Sequence, residues 1–411
     1  MAKDPPKPPP LPPPRGPSIP PAPITQRTIP PAPITERTLP PAPTTPRSVP
    51  PAPMAPRSVP PSSMAPRSVP PPSAAPRSVP PRGATGSLPA RPTKLGRFDV
   101  LAKIAGGGMA SIYLGRAREG GGEVVALKVM RSDRADKDED FVKMFVDEAN
   151  LLARLRHPAI VRTIEVGVDN GQRYIAMELL LGMTLATVYE ACVARGLRLE
   201  PELIAWIGSR IAEGLQHAHE LRDDAGAPVA LIHRDVNPAN VFVTFDGEIK
   251  LFDFGMAKTM MRTAVKTAPG VVKGKLSYLA PEQIMQLPLD RRADVFGLGT
   301  TLWELCTMRR LFQRETDVET VRAVHVGAIP DVRTLVPEVP ARLAAIVQKA
   351  LSRNRDHRYP TAADLAKDLD EVAGPRAANA PARLSSMLDS LFPEERKKQR
   401  GWLKPAITSS K

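Results

Sequence analysis

The sequence predicts a two-lobed α+β fold: a small β-rich lobe, then a larger α-helical lobe, behind a disordered proline-rich N-terminal tail. Three observations carry that reading. Residues 1–95 are dominated by proline and contain no aromatic residue. Between 98 and 178 the apolar residues fall in short runs broken by glycine, the pattern of strands and tight turns. After Gly182 they recur mostly at three- and four-residue spacing, the pattern of helices.

The tail comes first. Six copies of a ten-residue repeat run from Ile19 to Ser78, best seen as VPPAPMAPRS at 49–58. Such a composition buries too little apolar surface to offset the entropy of ordering. Its prolines favour extended polyproline II, a semi-rigid spacer carrying a row of arginines and hydroxyls. It reads either as a drifting low-complexity linker or as a docking or phosphoacceptor array. The folded body is expected over 96–373, with a basic C-terminal tail at 374–411.

Within the body, FDVLAKI (98–104) and IYLGR (112–116) read as strands flanking a glycine turn, and VVALKVM (124–130) as a third strand. Residues 141–155 show helical periodicity that stops before His157 and Pro158. YIAME (174–178) is a further strand. Helical spacing then marks 203–221, 295–306, 343–351 and 362–372. In the C-terminal tail, Leu384, Met387, Leu388 and Leu391 share one helical face ahead of the basic cluster Arg396, Lys397, Lys398 and Arg400. That segment is expected either to stay solvated or to dock by its apolar face.

The formal charge of +14 belongs to the ends of the 411-residue chain. Residues 1–95 carry about +10 and the stretch from Arg376 onward about +5, so the body is near neutral. A nucleic-acid-binding domain would concentrate basic charge on the folded body, so that class is not expected. Cys192 and Cys306 are isolated, without metal-type or disulfide spacing, which fits a reducing compartment. No run approaches the length of a membrane span and the start lacks a signal-peptide core, so the expected location is cytoplasmic.

The chemistry concentrates in a few strings. IHRDVNPANV (232–241) sets Asp235 and Asn240 on one short loop beside His233 and Arg234. The triplet Asp253, Phe254, Gly255 follows, then Ala280, Pro281, Glu282. A glycine-rich turn, IAGGGMASIY (104–113), and Lys128 on a strand precede them. Any one triplet recurs by chance; all in this order read as a phosphoryl-transfer site.

Over residues 96–373 these motifs resemble the bacterial members of the eukaryotic-like serine/threonine protein kinase family. The resemblance implies the bilobal protein-kinase-like fold, ATP and Mg2+ as cofactors, and Ser/Thr hydroxyls of proteins as substrates. Ile104, Ala105, Gly106, Gly107, Gly108, Met109, Ala110, Ser111 and Ile112 correspond to the loop covering the phosphates, where small residues admit close backbone approach. Ala126 would line the adenine pocket. Lys128 would grip phosphate and pair with Glu148. Met177 would back the pocket, and Glu178, Leu179 and Leu180 match the segment bonding the adenine edge. Asp235 matches the catalytic base. Asn240 and Asp253 match the magnesium ligands, both oxygen donors as a hard cation requires. Arg234 is implied to pair with a phosphorylated residue, with Thr263 or Thr267 as the switch site by position. Asp294 resembles a brace of the catalytic loop, and Glu282 and Arg358 a buried ion pair.

The chain departs from that family in four places. Ala105 and Ala110 stand at the first and third glycine positions. Asn237 replaces the lysine usual two residues after the catalytic aspartate. Lys275 replaces the usual threonine before Ala280. Lys275 is expected either to reach Asp235, restoring the missing charge, or to point to solvent. The alternative to an active kinase is a pseudokinase scaffold, against which the intact Lys128, Asp235, Asn240 and Asp253 argue. A small-molecule kinase is disfavoured by the segment ending in Ala280, Pro281 and Glu282. Beyond protein substrates, the tail would suit phosphopeptide- or proline-motif-binding proteins.

Overall fold

Alternation of buried and cleft-facing residues builds the first lobe of the computed structural model, which describes residues 93–106, 110–130, 151–254 and 275–403. The strands are β1 (Lys94–Leu95), β2 (Phe98–Gly106), β3 (Ala110–Ala117), β4 (Val124–Met130), β5 (Thr163–Asp169) and β6 (Gln172–Glu178). They form one antiparallel sheet in the order β1-β2-β3-β4-β6-β5. In β4, Val125, Leu127 and Val129 point one way into a core with Phe98, Val100, Tyr174 and Ala176. The period of two then puts Ala126 and Lys128 on the opposite face. Lys128 lies between Ile112 on β3 and Ile175 on β6.

The second lobe is helical around a larger core. Its helices are α1 (Leu185–Ala194), α2 (Pro201–His219), α3 (Pro281–Ile284), α4 (Arg292–Thr307), α5 (Asp317–Val326), α6 (Val332–Leu335), α7 (Ala341–Ala350), α8 (Ala362–Ala373), α9 (Ala380–Leu391) and α10 (Pro393–Arg400). Helix α2 begins with proline at its first turn and ends with His217 and His219, matching the backbone and dipole demands of each end. It buries Ile204, Ile207, Ile211 and Leu215. Nearly every residue of α4 is buried, as expected of a central helix, and the buried set includes the carboxylates of Asp294 and Glu304. Gly297 on α4 permits a close approach: a Cβ there would sit 2.8 Å from the Val236 carbonyl, beside Asp235.

Helical periodicity after Gly182 misses a second sheet. Strands β7 (Gly182–Thr184), β8 (Val241–Thr244) and β9 (Ile249–Leu251) pair antiparallel in chain order. Each is too short for alternation to register. The helix expected over 141–155 is described only at 151–153, and the chain has left it by Arg154. Pro158 biases the residues before it toward extended backbone.

The segment beyond Gly374 is folded onto the second lobe. Leu384, Leu388 and Leu391 on α9 enter its core, with Met387 packed alongside. Ser385 Oγ donates to the Phe245 carbonyl at 2.7 Å, and Arg195 donates to the carbonyls of Ser390 and Leu391 at 3.3 and 3.1 Å. Gly247 turns the β8–β9 hairpin with φ of +85°, and a Cβ there would collide with the Pro381 carbonyl.

Candidate active site

The loop carrying Asp235 is shaped from beneath by one buried carboxylate. Asp294 Oδ2 accepts from the His233 amide and Oδ1 from the Arg234 amide, each at 2.8 Å. His219 Nε2 lies 2.7 Å from the same Oδ2. Burial alone would push the Asp294 carboxyl up; the bonds from His219 and the His233 backbone outweigh it and hold it below the usual range. Burial lowers the His233 imidazole in turn, against the pull of the Asp294 and Asp235 carboxylates beside it. These bonds hold Arg234 at φ of +63°, a conformation costly for a side-chain-bearing residue. Gln283 Nε2 closes the loop from α3 with a 2.9 Å bond to the Arg234 carbonyl.

The loop then wraps on itself. Asn240 Nδ2 donates to the Asp235 carbonyl at 2.8 Å. Asn237 Nδ2 donates to that carbonyl at 2.8 Å and to Asp235 Oδ1 at 3.1 Å, while its own Oδ1 accepts from the Ala239 amide at 2.9 Å. Asn237 thus caps the 3-10 turn Pro238–Asn240, which sets Asn240 immediately before β8.

Three contacts join this loop to the segment holding Asp253. His233 Nε2 is 3.1 Å from the Phe252 carbonyl, and the Phe252 amide donates to the Asn240 carbonyl at 3.1 Å. The Phe254 ring packs on His233 at 4.5 Å between centroids. Asp253 itself takes φ of +59°, which turns its part-exposed carboxylate to Lys128. The Lys128–Asp253 ion pair ties the β4 strand of the first lobe to the second. From the other side, Lys275 Nζ lies 2.9 Å from Asp235 Oδ2.

Lys128, Asp235, Asn240, Asp253 and Arg234 are therefore neighbours in one cleft. Ile104, Ala105 and Gly106 end β2, and Ala110, Ser111 and Ile112 open β3 above it. Ala126 is buried opposite Met177, and Glu178 ends β6 with its carboxylate accepting from the Arg162 amide at 2.8 Å. Leu180 follows in the connection between lobes, half-buried. Gly107, Gly108, Met109, Glu148, Thr263 and Thr267 lie outside the described residues, as do the tail up to residue 92 and Gly255. Where sequence reasoning paired Lys128 with Glu148, the described partner is Asp253.

Arg358 donates to Glu282 through both terminal nitrogens, at 2.6 and 2.8 Å, fastening α3 to the base of the second lobe. Sequence reasoning missed a second such anchor. Glu304, fully buried on α4, accepts from Tyr278 at 2.7 Å and Arg310 at 2.9 Å; burial pushes its carboxyl up. A glutamate in the run LWELC, with apolar residues on both sides, was the available signal. Also missed was Gln399 on α10, whose amide bonds both the N–H and the carbonyl of Gly182 at 2.8 and 3.0 Å. Nothing in its basic surroundings marks it.

Residues 98–369 match the family model of the protein kinase domain. The chain belongs to the protein kinase family. It is 38% identical over 308 residues to the tyrosine-protein kinase MasK of Myxococcus xanthus, covering 74% of this chain and 47% of MasK. It is 34% identical over 279 residues to the serine/threonine-protein kinase PrkC of Bacillus subtilis, covering 67% of this chain and 40% of PrkC. The chain thus spans less than half the length of either relative. The crystal structure of the PknI kinase domain of Mycobacterium tuberculosis superposes with a TM-score of 0.53 at 26% identity, covering 69% of this chain and all of that one.

Proposed function

We propose that this chain is an ATP-dependent protein kinase transferring the γ-phosphoryl group to Ser or Thr hydroxyls of proteins. The observation that carries the reading is the convergence of Lys128 and Asp253 with Asp235 and Asn240 in one cleft between the lobes. In this reading Asp235 accepts the proton of the attacking hydroxyl. As the new O–P bond forms, the bond from the γ-phosphorus to the bridging oxygen breaks and ADP departs with that electron pair. The catalysis is positioning and charge stabilisation rather than covalent chemistry.

The donor set fits magnesium. Asn240 commits its amide nitrogen to the Asp235 carbonyl, which leaves Oδ1 as the donor it can turn to a cation, and Asp253 offers a part-exposed carboxylate. A cation that takes its remaining ligands from phosphate and water needs no larger protein cage. Bound there, it would neutralise phosphate charge. Ile104 to Ile112 would cover the phosphates, Ala126 would border the adenine, and the backbone of Glu178 and Leu180 would bond its edge. Lys128 would hold phosphate, with Glu148 as its partner in the active arrangement. Phosphate on Thr263 or Thr267 would pair with Arg234. We assign the catalytic body to 96–373, preceded by a tail at 1–95 and followed by the segment 374–411 that packs on its second lobe, with a cytoplasmic location. Among the described residues, no helix is long and apolar enough to cross a membrane.

One observation favours a second reading on the acceptor alone: the 38% identical relative is named a tyrosine kinase, whereas PrkC is named for serine and threonine. Incubation with γ-labelled ATP and magnesium, followed by phosphoamino-acid analysis, separates the two. Phosphoserine and phosphothreonine are expected, and phosphotyrosine alone would move the acceptor assignment. Asp235→Asn should cut the rate by about 10²–10⁴. Wild-type turnover in that variant would overturn the reading.

A further inference from the structure

Of the two expectations for Lys275, the structure shows the one in which it reaches the Asp235 carboxylate. Lys275 opens the 3-10 turn Lys275–Tyr278, forty residues further along the chain, and its Nζ bonds Asp235 Oδ2 at 2.9 Å. The loop itself supplies no charge at the matching place. Asn237 is neutral and buried, and its amide is committed to Asp235 and to the Ala239 N–H. The Asp235 side chain is 8% exposed and that of Lys275 is 39%, so the ammonium occupies the open side, where a substrate would enter.

The Lys275 turn is anchored from below rather than free. Ser277 is buried, and Tyr278 bonds the buried Glu304 at 2.7 Å, which Arg310 also holds. Asp235 also accepts from Asn237, and the turn is held through Tyr278, so this pairing is not needed to hold the turn in place. An anchored backbone carrying one extended ammonium into a reactive cleft is the arrangement expected of a preorganised charge.

We propose that Lys275 is a catalytic residue: its ammonium aims the Asp235 carboxylate and neutralises the γ-phosphoryl oxygens during transfer. The inference rests on the reading of Asp235 as the base. Lys275 keeps its proton throughout. The hydroxyl proton goes to Asp235, and the electron pair of the broken bridging bond leaves with ADP. The segment before Ala280 would thereby supply the charge that the loop lacks at Asn237.

The test uses autophosphorylation of the full chain with saturating MgATP, and nucleotide affinity measured separately with a fluorescent ATP analogue. Lys275→Met should lower the rate constant by about 10²–10³, with analogue affinity within about twofold and melting temperature within about 2 °C. Lys275→Cys should lose as much. Alkylating it with bromoethylamine rebuilds an ammonium of nearly lysine length and should return the rate to within about tenfold of wild type. Cys192 and Cys306 are both buried, so the same treatment should leave the wild-type chain unchanged. Full activity in Lys275→Met, or no recovery in the alkylated protein, would overturn the proposal. A faster Lys275→Met would make the lysine an inhibitory clamp and overturn it equally. If the wild type transfers no more phosphate than Asp235→Asn, the kinase reading fails and this inference falls with it. If Asp235→Asn is inactive while Lys275→Met is normal, only the inference fails.

Discussion

Arg358 shows what one residue contributes when it is fully paired. Its side chain is completely buried, and besides the two bonds to Glu282 it donates to the carbonyls of Ser352 and Arg292 at 2.7 and 2.9 Å. Removing one partner leaves a buried charge uncompensated, which costs about 3–5 kcal/mol. Arg358→Met should therefore lower unfolding stability by that amount, read as a fall in the urea midpoint. A loss under about 1 kcal/mol would mean that the pair roughly breaks even against solvation. The pairing itself was legible, because Glu282 and Arg358 each sit in a recognisable string. The additional carbonyl acceptors were not, because backbone orientation leaves no trace in residue identity.

At the scale of elements, α9 and α10 change how the C-terminal segment is understood. The spacing of Leu384, Met387, Leu388 and Leu391 predicted an amphipathic helix, and the structure docks that face on the second lobe. What the spacing did not reveal is the contact made by α10. Gln399 completes the hydrogen bonding of Gly182, the first residue of β7 and two beyond Leu180. Gln399→Ala leaves a buried N–H and a buried carbonyl without that partner, costing about 2 kcal/mol locally. Hydrogen exchange at the Gly182 amide should accelerate by about thirtyfold. Unchanged protection there would show that β7 holds without α10. Because β8 follows Asn240 directly, this clasp also buttresses the sheet that adjoins the loop carrying Asp235.

For the whole molecule, the balance of charge matters more than its total. A near-neutral body carries two basic ends, and the first holds six repeats each closing on an arginine and a hydroxyl residue. A tethered acceptor meets the active site at high effective concentration, and each phosphate would offset an arginine. Autophosphorylation should place phosphate between Thr28 and Ser78, at a rate independent of protein concentration. Mass spectrometry finding no phosphate in that stretch would refute the idea, and a rate that rises with concentration would make the reaction one between molecules.

The sequence by itself determined the two-lobed architecture, the strand carrying Lys128, and the candidate set Asp235, Asn240 and Asp253. These were readable because each rests on local chemistry: period-two burial, glycine turns, and residue types that phosphate and a hard cation require. Only the tertiary structure decided the rest. It turned Lys128 to Asp253, brought Lys275 onto Asp235 across forty residues, set Asp294 under two consecutive amides, and laid Gln399 on Gly182 across 217 residues. Hydrogen bonds and ion pairs of this kind join partners that are distant in the chain, and the pairing depends on where the folded backbone places each group.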